Sequence, residues 1–247
     1  MTSQSLLAAM MAMSLGLTVA CGAGQAAVEP LKAPDLGGFR TPGKWVIVGD
    51  AANDPNNEKF LSTTPGTGVM FNTNKTTTNI ETKDEFGDCE VHIEFMIPKD
   101  SNSGVYLMGR YEIQILDSFG VEHPKYDDCG GIYQRWRDKP APGQPQGYEG
   151  KAPKVNASLP PGQWQSFDIT FRAPRFDAEG KKTENARFVK VVHNGKVIHE
   201  NEEVTGPTRS GSFNDEKPKG PIMLQGNHGP VAFRNIRITS IDSQPSK

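Results

Sequence analysis

Residues 89–97 read CEVHIEFMI and residues 109–117 read GRYEIQILD, and both runs alternate apolar with polar side chains. Successive side chains of a β-strand point to opposite faces of its sheet. The valine, isoleucine and phenylalanine of the first run therefore share one face, and its histidine and second glutamate share the other. The second run divides in the same way. Both runs predict antiparallel strands with an apolar face in a core and a polar face outside it.

Further strand-like runs recur along the chain, each bounded by Gly, Pro, Asn or Asp. Beyond the apolar leader, no ten-residue window shows strong helical periodicity. The pattern predicts an all-β fold, a sandwich or jelly roll of two antiparallel sheets. Asn194-Gly195 between two such runs predicts a type I′ hairpin, because both residues accept a positive φ. The further runs cover residues 45–48, 68–71, 104–107, 166–172, 188–193, 196–199, 222–225 and 231–241.

The composition fits one β-sandwich domain over residues 28–247, preceded by a leader and tether over residues 1–27. The 26 Gly and 19 Pro residues are spread along the chain of 247 residues, as many turns require. The formal net charge is −2, and no block of Lys and Arg occurs. This balance gives no electrostatic basis for a nucleic-acid partner.

The leader contains an apolar run over residues 6–17, too short for a transmembrane helix and typical of a signal peptide. Residues 17–22 resemble a bacterial lipobox, in which Cys21 would carry a lipid anchor. Cleavage near residues 24–27 is the alternative. We expect an exported protein, periplasmic or an outer-surface lipoprotein of a bacterium, whose only membrane contact is that anchor. Cys89 and Cys129 would then be free to form a disulfide, or each is a small buried residue.

The polar residues suggest a carbohydrate site if the runs at 89–97 and 104–117 pair as neighbours. One sheet face would then present charged, amide and aromatic side chains that can bind hydroxyl groups and stack on a sugar ring. The alternative is a cross-strand salt-bridge ladder involving Arg110, which is common on exposed sheets. The residues on this face are His92, Glu94, Tyr106, Arg110, Glu112 and Gln114.

Five stretches of the sequence together resemble one known family. They cover residues 86–95, 102–120, 129–133, 160–169 and 220–236, of which 102–120 (NSGVYLMGRYEIQILDSFG) is the longest and most specific. The chain resembles the 3-keto-disaccharide hydrolase domain family over roughly residues 35–242. The resemblance implies a concanavalin A-like lectin/glucanase sandwich. It also implies an enzyme that cleaves 3-keto-glycosides by elimination across C1–C2 and hydrates the resulting 2-hydroxy-glucal.

Such an elimination needs a base for the C2 hydrogen, stabilisation of the enolate oxygen and an acid for the leaving group. Histidine and glutamate can supply the proton transfers, and arginine can stabilise the oxyanion. A divalent cation is another source of electrophilic help. The candidate catalytic residues are Glu112, His228, Glu94 and His92. The candidate substrate-binding residues are Arg110, Gln114, Tyr106, Asp117, Gln225 and Tyr133.

A retaining glucanase of this fold class would need carboxylates at alternate positions of one strand. From Glu112 the same-face positions hold Gln114 and Leu116, so this mechanism lacks its second carboxylate. Two hypotheses remain, which share the groove but differ in the need for an acid–base set. One is an enzyme acting on an oxidised glycoside, and the other is a non-catalytic, lectin-like module that binds carbohydrate at the cell surface.

Overall fold

The computed structural model describes residues 26–32, 34–75 and 77–241. The described residues form β-strands and loops, and they contain no helix. Among them, therefore, no helix is long and apolar enough to cross a bilayer. The strands are β1 (Phe39–Arg40), β2 (Val46–Asp54), β3 (Asn57–Phe71), β4 (Ile80–Phe86), β5 (Cys89–Met96), β6 (Asn102–Leu107), β7 (Tyr111–Leu116), β8 (Arg135–Trp136), β9 (Gly147–Tyr148), β10 (Gln165–Arg172), β11 (Arg175–Phe176), β12 (Lys182–Glu184), β13 (Ala186–His193), β14 (Lys196–Val204), β15 (Gly220–Leu224) and β16 (Ala232–Ser240).

Two large antiparallel sheets contain most of these strands. One has five strands in the order β1-β4-β15-β6-β7, and the other has seven in the order β14-β13-β10-β5-β16-β3-β2. Two small hairpins, β8–β9 and β11–β12, lie outside them. Strands distant in sequence are neighbours in both sheets, as in a jelly roll. The fold is thus the predicted concanavalin A-like sandwich.

The core lies between the two sheets. Its apolar cluster draws alternate residues from β5 and β10 on one side and from β6, β7 and β15 on the other. Tyr111 of β7 and Phe171 of β10 meet across the interface, with ring centroids 5.4 Å apart. Burial of alternate residues leaves the intervening side chains of β7 on the outer face of the five-stranded sheet.

The sequence predicted most strands of the two large sheets but missed β1 and β4. Each predicted run coincides with an observed strand, and β5 buries Val91, Ile93 and Phe95 while Glu90 is exposed. Asn194 and Gly195 have φ values of 49° and 78° and connect β13 to β14, which confirms the predicted hairpin.

Two of the three cysteines, Cys89 and Cys129, lie among the described residues. Among the described residues, Cys89 and Cys129 are both free, buried thiols, so the disulfide reading is wrong and the alternative of small core residues is correct. Both contribute to the core cluster, and burial raises the pKa of each thiol to about 12. The leader, including Cys21 and its lipid anchor, lies outside the described residues.

Candidate functional site

The β6–β7 hairpin forms the floor of the site. Tyr106 pairs with Glu112 in the register, and Gly104 pairs with Gln114. The backbone of Glu112 and of Gln114 bonds away from β6, toward the outer edge of β7. These are therefore non-hydrogen-bonded pairs, whose side chains approach closely on one face of the sheet. The register places the phenol of Tyr106 beside the carboxyl group of Glu112.

Two loop segments complete the outer edge of β7. The amide of Tyr133 donates to the carbonyl of Glu112 at 3.1 Å. The hydroxyl of Thr208 accepts from the amide of Glu112 at 3.1 Å and donates to the carbonyl of Arg110 at 3.0 Å. These bonds place Tyr133 and Arg209 over the polar face of the sheet. Tyr133 was predicted to bind substrate, whereas Arg209 was not predicted.

A polar pocket of about 160 Å³ opens on this face. Its walls come from β6, β7 and the end of β15, together with the segments around Tyr133, Arg209 and His228. Six of the ten residues predicted for catalysis or substrate binding line it. The lining consists of Asn102, Tyr106, Glu112, Gln114, Tyr133, Arg209, Ser210, Gln225 and His228.

Glu112 is the acidic residue of this pocket, and its side chain is almost completely shielded from solvent. The residue is 2% exposed. Burial raises the pKa of Glu112 to about 8, and a hydrogen bond with Tyr106 offsets part of that rise. A carboxyl group with a pKa near neutrality can both accept and return a proton under physiological conditions.

Two buried amide groups flank Glu112. Gln225 donates from Nε2 to the hydroxyl of Tyr106 at 3.3 Å, and Gln114 donates from Nε2 to the carbonyl of Asp127 at 3.3 Å. The Oε1 atoms of Gln114 and Gln225 are buried and have no hydrogen-bond partner among the described residues. Buried acceptors of this kind are costly unless a ligand satisfies them. The two amides therefore fit a ligand rich in hydroxyl donors.

The mouth of the pocket carries the groups that can reach a ligand from solvent. His228 is exposed, and its Nδ1 lies 2.5 Å from Oδ1 of Asn227. Arg209 also lines the pocket, although it was not predicted from the sequence as a site residue. Its guanidinium lies 3.8 Å from the centroid of the Trp136 ring. A lone arginine in a loop has no sequence signal that separates it from other surface arginines.

His92 and Glu94 do not belong to this pocket, so the predicted common face is wrong. β5 lies between β10 and β16 in the seven-stranded sheet, whereas β6 and β7 belong to the five-stranded sheet. The outward-facing side chains of the two sheets point away from each other across the sandwich. A joint catalytic role of His92 or Glu94 with Glu112 is incompatible with this arrangement.

Local contacts account for both residues on the outer face of the seven-stranded sheet. Nδ1 of His92 lies 2.6 Å from Oδ1 of Asp168. Glu94 accepts from Nε of Arg234 and from Nδ2 of Asn235, each at 2.7 Å. Burial tends to raise the pKa of Glu94, but these hydrogen bonds hold it below its usual value. These contacts form a polar ladder across β10, β5 and β16 that does not include Arg110, the residue on which the predicted salt-bridge ladder depended.

Arg110 and Asp117 lie near the hairpin but do not line the pocket. The Nη2 of Arg110 donates to Oδ1 of Asp215 at 2.8 Å, and its guanidinium stacks 4.5 Å from the Phe213 ring centroid. Asp117 accepts from the amide of Asp100 at 3.0 Å. Neither side chain is part of the pocket lining, so the structure gives no support to direct substrate binding by Arg110 or Asp117. Arg110 instead fastens the loop that follows Thr208 to the end of the hairpin.

A divalent cation needs several oxygen or nitrogen ligands arranged around one point. Among the described residues there is no group of three or more His, Cys, Asp or Glu side chains arranged to hold a metal ion. The pocket offers one carboxylate, from Glu112, with amide oxygens beside it. Even with the imidazole of His228, this donor set does not match a dedicated protein metal site.

The fold and the site define a class: a jelly-roll sandwich with a small polar pocket, built around a buried carboxyl group, on one sheet face. The sequence also matches the model of a known protein family. The model of the 3-keto-alpha-glucoside-1,2-lyase-like domain matches residues 35–239. The chain belongs to this family, which indicates a carbohydrate-active protein of the glycosyl hydrolase or lyase kind.

Solved structures from Parabacteroides distasonis are similar to this chain. One candidate glycosyl hydrolase is 26% identical with a TM-score of 0.60, covering 87% of this chain and 84% of its own. Another is 14% identical with a TM-score of 0.53, covering 87% and 94%, and shows the shared fold alone. The comparison with curated proteins found no match.

Proposed function

We propose that this protein cleaves 3-keto-glycosides by elimination at the Glu112 pocket. The observation that carries the proposal is the buried carboxyl group of Glu112, whose pKa burial raises to about 8 in a small polar pocket. A base of this strength suits the C2 hydrogen of a 3-keto-sugar, which the adjacent carbonyl acidifies.

The proposed reaction has balanced proton and electron transfers. Glu112 takes the proton from C2, and the electron pair of that bond forms the C1–C2 double bond. The C1–O bond breaks, and its electron pair leaves with the aglycone oxygen. His228 at the pocket mouth donates the proton which that oxygen requires. The products are the free aglycone and a 3-keto-2-hydroxy-glucal, to which water is then added.

Negative charge develops on the C3 oxygen during proton abstraction. Neutral hydrogen-bond donors in the pocket include the Tyr106 hydroxyl, the Tyr133 hydroxyl and the Gln225 amide. Burial keeps Tyr106 protonated by raising the pKa of its phenol far above its usual value. Fixed donors in a site shielded from water stabilise a developing oxyanion more than they stabilise the starting ketone.

Incubation with an aryl 3-keto-glucoside tests the proposal. Release of the phenol by the wild type, and its loss in Glu112→Gln, would support the enzyme. The variant keeps the size of the side chain and removes the base. Glu90→Gln, on the outer face of the opposite sheet, is the matched control. Binding of the sugar without turnover by the wild type would instead favour the lectin-like module.

Export of the protein remains a proposal as well. The apolar run over residues 6–17 and the lipobox-like sequence ending at Cys21 support a periplasmic or outer-surface lipoprotein. Expression of the full chain in a bacterium, with fractionation and labelling by a radioactive fatty acid, tests it. Label that disappears in Cys21→Ser supports the anchor, and unlabelled protein in the cytoplasm contradicts it.

A further inference from the structure

A second and larger cleft adjoins the Glu112 pocket. Its volume is about 570 Å³, and the two cavities share Arg209 and Ser210. The small pocket is below the roughly 300 Å³ typical of sites for larger ligands, so it suits a single sugar ring. The second cleft offers room for the group attached to that ring. It is lined by Arg135, Trp136, Asp138, Tyr148, Pro207, Thr208, Arg209, Ser210 and Asn214.

Arginine side chains cover the aromatic rings of this cleft. The guanidinium carbon of Arg209 lies 3.8 Å from the ring centroid of Trp136. Those of Arg137 and Arg135 lie 3.4 Å and 5.0 Å from the ring centroid of Tyr148. Cation–π contacts of this kind hold a guanidinium in place. The guanidinium groups occupy the ring faces of Trp136 and Tyr148, which are therefore not free to stack on a second sugar. A ligand that enters the cleft meets ordered cations instead.

The lining of the cleft contains two arginines, Arg135 and Arg209, and one acidic residue, Asp138. Arg135 forms an ion pair with Glu149 at 3.3 Å, and Asp138 lies on the cleft wall. Within the part of the chain that the structure describes, Arg137 and Arg209 form no ion pair. Arg209 also makes no side-chain hydrogen bond there. Arg209, at the junction of the two cavities, thus has its hydrogen-bond donors available for a ligand.

We infer that the cleft binds the leaving group of the substrate and selects a leaving group that carries a carboxylate, with Arg209 as its main partner. The inference rests on the proposed function, because it takes the Glu112 pocket as the site of the keto-sugar. A guanidinium fixed by stacking matches a carboxylate with two parallel hydrogen bonds. A neutral leaving group of the same size would leave Arg209 without a partner.

A matched pair of substrates tests this inference. The 3-keto-glucosides of 4-hydroxybenzoate and of its methyl ester differ in charge but have nearly the same shape. We expect a KM about tenfold lower for the carboxylate substrate at low ionic strength, an advantage that added salt reduces. In Arg209→Gln the ratio of the two KM values should fall to near one. In Arg187→Gln it should persist, because Arg187 pairs with Glu203 on the opposite sheet.

Direct titration of the free 4-hydroxybenzoate product by calorimetry gives a readout without turnover. Binding that weakens in Arg209→Gln but not in Arg187→Gln supports the anion site, even if neither glycoside is cleaved. Absence of cleavage with both glycosides would reject the proposed function but not the anion site. Cleavage of both substrates with equal KM, together with no Arg209-dependent binding of 4-hydroxybenzoate, would overturn the inference and leave the proposed function standing.

Discussion

The carboxyl group of Glu112 occupies the space that a side chain at Gly104 would need. Gly104 lies on the neighbouring strand, and a Cβ built on it would collide with Oε1 of Glu112. Its next neighbours would be Cδ of Glu112 and Cε2 of Tyr106, each at 3.1 Å. The glycine in NSGVY thus makes room on the sheet for a buried carboxyl group.

Gly104→Ala should impair the reaction without unfolding the protein. The added methyl group meets the flexible end of Glu112, which can turn away but then leaves its reacting position. We expect a fall in kcat/KM of about 100-fold, the cost typical of displacing a catalytic group, with little change in Tm. Gly180→Ala is the contrasting control. Gly180 has a φ of 79° in an open turn, so this variant should lose stability and keep activity. Full activity of Gly104→Ala would contradict the assigned position.

Glu112 should make stability depend on pH in the direction opposite to most carboxylates. Its pKa is raised from 4.5 to about 8 on folding, so the unfolded chain releases this proton first. The folded state therefore loses stability as pH rises from about 4.5 to 8. Glu112→Gln should gain on the order of 3 kcal/mol relative to the wild type between pH 5 and pH 8. Urea unfolding at both pH values measures this gain. A constant difference would contradict the pKa shift.

His193 should destabilise the protein in acid. It directly precedes the Asn194-Gly195 turn, and its side chain is fully buried. Burial, with the nearby charge of Lys196, lowers its pKa from 6.5 to about 4. The stability it supports is complete above pH 6.5 and is lost as pH falls toward 4, by about 3 kcal/mol. His193→Gln should flatten the pH dependence of urea unfolding in that window. An unchanged profile would show that His193 titrates normally.

Arg110 should act on the loop after Thr208 and not on the substrate directly. Its side chain is buried, and Asp215 is its half-exposed partner at 2.8 Å. Asp215→Asn weakens this pair, and we expect a small loss of stability together with faster tryptic cleavage near Lys217. Asp177→Asn, in a turn outside the site, is the control. Unchanged proteolysis of Asp215→Asn would argue against this fastening.

The sequence determined the faces of the strands but not their neighbours. Alternation in 89–97 and 109–117 depends only on which side chains enter the core, and those assignments are correct for β5 and β7. Pairing depends on long-range topology, which alternation does not encode. For that reason His92 and Glu94 were placed beside Glu112, although β5 belongs to the other sheet.

Alternation of apolar and polar residues predicted the part of the candidate site that lies on strands, but it carried no signal for Arg209 in a loop. Tyr106, Glu112 and Gln114 follow from their polar positions in two apolar runs. Arg209 reaches the pocket because the segment around Thr208 bonds to the edge of β7, a contact with no local sequence pattern. Long-range contacts of this kind are visible only in the folded chain.

Removal of the C2 hydrogen of a 3-keto-glycoside by Glu112 is the step on which the proposed function depends. The most direct measurement compares aglycone release from an aryl 3-keto-glucoside with hydrogen or deuterium at C2, alongside the corresponding unoxidised glucoside. Elimination initiated by Glu112 predicts slower release from the C2-deuterated substrate, no release from the unoxidised glucoside, and loss of the reaction in Glu112→Gln. Equal rates for the two isotopes, with cleavage of the unoxidised glucoside, would mean direct hydrolysis and contradict the account.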